Sequence, residues 1–385
     1  MKKIPESTFR IALGTVVALI VLAVYAYPLA LASEVHVPDD YSTIQAAIAG
    51  ANSGDVIVVY EGIYYENIHF LGKAITVKST DPNDPAIVAA TIIDGNQAGH
   101  VVKFEAEEGS DFRRLGINAL LSGVTVQNGK AEYGGGIYCY YSSPTISNCM
   151  IIGNSAGQCG GGIYCVSSSP SITNCIIMGN STEISTSTEE KRGSGGGIFC
   201  AYDSSPDITN CIIARNSTSN GGGIFCQGAV FLSFGMGIPV GGGLPRPKIT
   251  NCTIVENTAS VSGGGVLSNL DVWVYFVEEF LLSGGTFKYF SAPIITSSIL
   301  WDNYPDQVSG KRIQITFSDI QGWFPGIGNI NADPLFVSPE AGDYHLQPGS
   351  PCIRTKGKYQ YEMGAYGHQV FRRQSSYHYR STRGY

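Results

Sequence analysis

One register recurs along the middle of the chain and constrains the fold more than any other feature. A Gly-Gly-Gly block followed by an aliphatic residue begins at Gly134, Gly160, Gly195, Gly221 and Gly263. Each block leads to a second element, from Pro144 to Asn154, Pro170 to Asn180, Pro206 to Asn216, Pro247 to Asn257 and Pro293 to Asn303, always with a ten-residue spacing. Where the period exceeds 26 residues, the extra residues fall between these elements, as insertions into turns do. A divergent earlier copy ends at Asn128.

The second element reads P-x-I-[ST]-[NS]-[CS]. Ile146, Ile172, Ile208, Ile249 and Ile295 share one position, and Cys149, Cys175, Cys211, Cys252 and Ser298 share another. No copy is long enough to bury an apolar face alone, but copies stacked at a strand spacing of about 4.8 Å make one continuous core. The Gly, Pro, Thr and Asn content disfavours helical repeats, and a leucine-rich pattern is absent. What remains is a β-solenoid with three short strands per coil.

On these repeats the chain resembles the right-handed parallel β-helix, or pectin-lyase-like, superfamily. Residues 44–68, IQAAIAGANSGDVIVVYEGIYYENI, look like the opening of many such proteins, a short helix over Thr43 to Ala51 and then the first strands. Ser42 or Thr43 would cap that helix, and Ile44, Ala47 and Ile48 would cover the open end of the core. Residues 331–352, with Met363 to Tyr366, resemble the closing segment of related exported proteins. The expected domain layout is a β-helix over 33–367, with clear repeats over 118–303, an N-terminal cap over 41–70 and a C-terminal cap over 331–367. The resemblance is specific for fold and weak for activity.

The N-terminus places Lys2, Lys3 and Arg10 ahead of an uncharged apolar run from Ile11 to Ala32 that closes on Ala30-Leu31-Ala32. This is the layout of a secretory signal over 1–32, and the run is also long enough for an uncleaved membrane anchor. Either way the rest of the chain is expected outside the cytoplasm, secreted or at the cell surface. Residues 1–32 carry a net +2, so the formal charge of −7 becomes −9 without them. Such acidity argues against nucleic acid as a partner and leaves contact with a membrane to the N-terminal segment. Residues 368–385, with Arg372, Arg373, Arg380 and Arg383 and no acid, read as a basic, disordered tail.

Stacking turns equivalent positions into columns. The Asn column, Asn128, Asn154, Asn180, Asn216, Asn257 and Asn303, is expected at a turn, where Asn tolerates the left-handed conformation. Cys139, Cys165, Cys200 and Cys226 form a second thiol column beside the Cys149 column. No C-x-x-C pair suggests a metal site, and buried thiols are favoured over disulfides between coils, which the spacing also allows. Sequons at Asn180, Asn216 and Asn251 arise from the repeat itself. The DPNDP run at Asp81 to Pro85 reads as a turn, and all six His lie outside the Gly-to-Asn coils.

Two sets of side chains are candidates for function. Tyr138, Tyr164, Phe199 and Phe225 alternate with the Ile and Cys face, so they form an outward strip that can hold sugar rings, or else pair across coils or lie under turns. Two apolar insertions, Gln227 to Arg246 and Asn269 to Ala292, enter the same turn of consecutive coils and add Trp273 and Tyr275 as ligand-binding candidates. The position before the Asn column is Gly153, Gly179, Arg215, Glu256 and Asp302. Arg215, Glu256 and Asp302 are therefore the catalytic candidates, although a salt-bridge ladder is the commoner use of such a stack. No cofactor is implied; calcium on an acidic polysaccharide is the one ion the pattern leaves open. The leading expectation is an exported, non-catalytic β-helix that binds carbohydrate or has a structural or adhesive role at the cell surface, with a polysaccharide or a surface protein as partner. The alternative is a polysaccharide lyase or glycoside hydrolase.

Overall fold

The computed structural model describes residues 32–105, 119–183, 193–231, 245–273, 292–356 and 359–366. The expected signal or anchor, Tyr275 and the basic tail lie outside them. The repeats stack as coils of four parallel ladders: a ten-stranded sheet 1 from Glu34–Val37 to Gln314–Thr316, a nine-stranded sheet 2 from Gly62–Tyr65 to Asp319–Ile320, a five-stranded sheet 3 from Lys130–Tyr133 to Thr258–Ser262, and an eight-stranded sheet 4 from Ile68–His69 to Val308–Gly310. Sheet 3 is the addition to the expected three strands per coil. Its strands are polar, as in Ser217–Asn220, so apolar alternation did not mark them.

Inward columns run unbroken through the coils. Ile146, Ile172, Ile208, Ile249 and Ile295 are fully buried, as are Ile151, Ile177, Ile213, Ile254 and Leu300. Each column is an in-register parallel pairing, such as Ile172 with Ile208, so identical side chains nest at every coil. The N-terminal end is covered by helix α1, Ile44–Gly50, as expected: the Thr43 side chain accepts from the Ala46 N–H, and Ile44, Ala47 and Ile48 are buried. At the other end Phe324 packs against the core.

The Asn column is a buried amide ladder. In each step Nδ2 donates to the next Oδ1 and to a carbonyl of the preceding coil, as Asn180 does to Asn216 at 3.1 Å and to Ile151 at 2.8 Å. The backbone N–H of Asn180 shares the same Oδ1. Donors and acceptors are thereby satisfied inside the core. The left-handed residue is the one before, with φ near 63° at Gly153 and 54° at Arg215. Asn128 corrects the expected column: it is left-handed itself, with φ 55°, and Gly129 takes the ladder position and donates to Asn154. The sequons at Asn180 and Asn216 sit within the ladder at 0% exposure, so neither amide is accessible for glycosylation in the folded chain.

The Gly triplets have two causes. The first glycine is left-handed, and a Cβ on the second or third would meet carbonyls of the next coil, 2.1 Å from Ser155 O at Gly135 and 2.6 Å from Gly162 O at Gly136. The cysteines are free thiols. In the Cys149 column each S–H reaches the carbonyl two residues back, at 3.2 Å for Cys175 to Thr173. Ser298 does the same with its hydroxyl to Thr296, which is why serine replaces cysteine there. Burial pushes the Cys149, Cys175 and Cys211 thiols well above their ordinary range, so they stay protonated.

The outer face of sheet 2 is apolar and roofed. Helix α2, Pro85–Ala90, lies over its N-terminal part, where the Val88 carbonyl accepts from Thr125 Oγ1 at 2.9 Å. The expected turn in DPNDP is present at Pro82 and Asn83, and it leads into this helix with Asp84 as the N-cap. The C-terminal segment, over residues 331–356 and 359–366, turns back along the same face. Tyr344, Phe336, Ala365 and Tyr366 pack on Ile176, Met178, Ile212, Ala214, Val255 and Trp301.

Candidate functional site

The catalytic candidates sit in the left-handed turn between sheets 2 and 3. Gly153 and Gly179 occupy this position in two coils, whereas Arg215, Glu256 and Asp302 hold φ of 54°, 54° and 52° in the next three. A side chain in this region costs about 1 kcal/mol relative to glycine. The returning C-terminal segment meets these side chains. Arg215 Nε donates to Glu256 Oε2 at 2.6 Å, and Arg215 Nη2 donates to the carbonyls of Pro339 at 2.6 Å and Glu340 at 3.1 Å. The hydrogen bond to Glu256 holds the guanidinium above its ordinary range.

Asp302 does not join that pair. Its Oδ1 accepts from Gln321 Nε2 at 2.9 Å, and its N–H donates to Gln321 Oε1 at 2.8 Å. Glu256 and Asp302 nevertheless face one cleft of about 320 Å³, together with Trp301, Asp333, Phe336 and Gln347. Asp302 and Asp333 are exposed and Glu256 is half-buried. The Tyr344 hydroxyl is buried beside Glu256 and Arg215, in the cluster that includes Val255, Trp301 and Phe336. Burial first, then the Glu256 charge, pushes this phenol up to about 12.

The structure therefore brings two of the three catalytic candidates into one cleft and gives Arg215 to the C-terminal segment. Trp301, Asp333, Tyr344 and Gln347 were not anticipated. Asp333, Tyr344 and Gln347 come from outside the repeat. Trp301 had a signal, because it ends an outward column, Ile152, Met178, Ala214, Val255 and Trp301, that is apolar where solvent-facing alternation calls for polar residues. Among the described residues no three His, Cys, Asp or Glu side chains are grouped to hold a metal ion.

The aromatic strip lies on the outer side of sheet 4, and its rings face one another. Tyr138 and Tyr164 are 5.4 Å apart at 9°, Tyr164 and Phe199 5.4 Å at 4°, and Phe199 and Phe225 5.5 Å at 15°. His100 stacks on Tyr138 at 4.6 Å, and Lys103 Nζ lies 5.8 Å from the Tyr138 centroid. Phe199 and Phe225 are buried, while Tyr138 and Tyr164 are half-buried. In-register stacking turns ring faces on ring faces and leaves edges outward, so the strip stabilises the coils by pairing across them. Trp273 ends a strand paired with Phe231. Its side chain, like Tyr275, lies outside the described residues.

A family model described as "Right handed beta helix region" matches residues 88–269. The chain is a right-handed parallel β-helix. No curated protein matches it. Among solved structures, this β-helix is similar to pectate lyase Pel9A, with 12% identity and a TM-score of 0.44 over 88% of this chain and 96% of that one. It is similar to the pectin methylesterase from Aspergillus niger, with 15% identity and a TM-score of 0.41 over 79% of this chain and 85% of that one. The pectin methylesterase from carrot is another, with 15% identity and a TM-score of 0.39 over 79% and 84% of the two chains.

Proposed function

We propose that this β-helix is an exported, non-catalytic carbohydrate-binding protein, with the cleft beside Trp301 as its glycan contact. The observation that carries the reading is the make-up of the cleft: an indole wall beside three carboxylates and a carboxamide. Planar polar groups hydrogen-bond the hydroxyls of a pyranose, and an aromatic wall packs on its apolar C–H surface. Export follows from the signal-like N-terminal segment.

The same geometry favours binding over lysis or hydrolysis. Arg215 is committed to two backbone carbonyls, Glu256 is ion-paired, and Asp302 is held by Gln321. A glycosidase needs one carboxyl kept protonated by burial, and none of the three carboxylates in the cleft is buried. The test is a polysaccharide panel presented to residues 33–385 and read for both retention and product release. Retention without product, lost in Trp301→Ala, is expected; release of reducing or unsaturated ends would overturn the non-catalytic reading.

A further inference from the structure

We infer that Asn251 is an N-glycan attachment site, the one of three sequons whose amide the fold leaves available; this rests on the export proposed above. The left-handed turn between sheets 1 and 2 repeats an outer column of asparagines, Asn148, Asn174, Asn210 and Asn251, with φ between 51° and 55°. Asn tolerates this backbone better than most residues other than glycine. Of the four, Asn251 alone is followed by the hydroxyl residue that completes N-x-[ST], at Thr253.

The column is an amide chain as far as Asn210. Asn210 Nδ2 donates to Asn174 Oδ1 at 3.2 Å, Asn174 Nδ2 to Asn148 Oδ1 at 3.1 Å, and Asn148 Nδ2 to Asn83 Oδ1 at 3.4 Å. The chain breaks at the next coil. Asn210 Oδ1 is buried and accepts no hydrogen bond, so Asn251 Nδ2 does not extend the chain. Asn251 keeps its backbone bond to the Thr296 carbonyl, but the residue is half-buried and its side chain makes no hydrogen bond among the described residues. The other two sequons differ in kind. Nδ2 of Asn180 and of Asn216 each donates twice inside the core ladder, at 0% exposure.

The co-reactant is a lipid-linked oligosaccharide, met with its transferase on the export route. Asn251 Nδ2 bonds to the sugar C1, the C1–O bond to the lipid pyrophosphate breaks, and one amide proton leaves. Transfer to a chain that has not yet folded reaches all three sequons alike, and folding then discriminates among them. A glycan on Asn180 or Asn216 replaces one of two N–H donors that the ladder uses and needs room inside the core. A glycan on Asn251 breaks no hydrogen bond.

The experiment is secretion of the whole chain from a eukaryotic cell, whose export route N-glycosylates, with peptide mass mapping before and after an amidase that converts glycosylated Asn to Asp. Asn251 is expected to carry a glycan in the secreted protein, and Asn180 and Asn216 none. Asn251→Asp should lose the glycan and leave secretion and the denaturant midpoint unchanged. Thr253→Ser retains the sequon and the hydroxyl that accepts from the Ala365 N–H, so it should retain the glycan. Secreted protein with Asn251 bare, or with a glycan on Asn180 or Asn216, would overturn the inference and leave export standing. Retention inside the cell of parent and Asn251→Asp alike would overturn both.

Discussion

Sheets 1 and 2 bury equivalent columns inside the same coils, yet their outer faces are opposites. On sheet 1 the outward column is Ser147, Thr173, Thr209, Thr250, Thr296 and Thr316, with hydroxyls linked as at Thr296 and Thr316, 2.8 Å apart. On sheet 2 the outward positions include Ile176, Met178, Ile212, Ala214, Val255, Ile299 and Trp301. The repeat fixes the inner face of both sheets and, through its [ST] position, a hydroxyl column on the outer face of sheet 1. The outer face of sheet 2 varies from coil to coil and matches what lies above it, helix α2 and the C-terminal segment. The cleft arises at the rim of that roof, where charged side chains in the left-handed turns meet the returning chain.

The comparison breaks most visibly if the roof loses its anchor. Tyr344→Ala removes a fully buried ring from between the C-terminal segment and Ile212, Ala214 and Val255. It is expected to destabilise that segment by about 3 kcal/mol, as large-to-small substitutions of buried aromatics do. Thr209→Ala, on the open face of sheet 1, should stay within about 0.5 kcal/mol. Denaturant unfolding of both variants, with limited proteolysis of residues 333–366, measures the contrast. Equal effects would mean that the segment contributes no packing to sheet 2.

Alkali tests the same anchor without a substitution. The folded Tyr344 phenol is raised to about 12 from an ordinary 10, so the folded state holds its proton longer than the unfolded state does. The stability from this group is fully present below pH 10 and is lost as pH rises from 10 toward 12, on the order of 2 kcal/mol over that window. Phenolate absorbance should show several late-titrating tyrosines, since burial also raises Tyr138 and Tyr164, and one fewer of them in Tyr344→Phe. Titration of every tyrosine near 10 while the fold persists would contradict the buried anchor.

The legible parts of the molecule are those that repeat. Ile146 and its equivalents, the Asn ladder and the Thr43 cap follow from spacing, because stacking turns each position into many copies of one environment. Asn128 was misplaced by one residue because that copy has diverged and a column of Asn looks alike in either register. The aromatic strip was placed on the correct side of its sheet, but alternation cannot say that the rings turn their faces on one another. Asp333, Tyr344 and Gln347 were out of reach, since they belong to a segment that occurs once and docks far from its sequence neighbours. The apolar outward column ending in Trp301 was the visible trace of that segment.

The smallest effect is the most informative about Arg215. Its side chain is 37% exposed, so the pair with Glu256 contributes little, and Arg215→Ala should cost about 1 kcal/mol, mostly through the freed Pro339 and Glu340 carbonyls. Arg215→Gly makes the same deletion but relaxes the turn, because φ of 54° is strained for alanine and free for glycine. The difference between the two variants, read by denaturant midpoint, therefore measures the strain, the gap between Arg215→Ala and the parent chain measures the clasp, and the gap between Arg215→Gly and the parent is the clasp less the strain. Hydrogen exchange at residues 339–342 should quicken in both. If Arg215→Gly equals or exceeds the parent in stability, the arginine at a turn that glycine fills in two other coils is not kept for the fold. The strain at Arg215, Glu256 and Asp302 would then belong to the cleft they border.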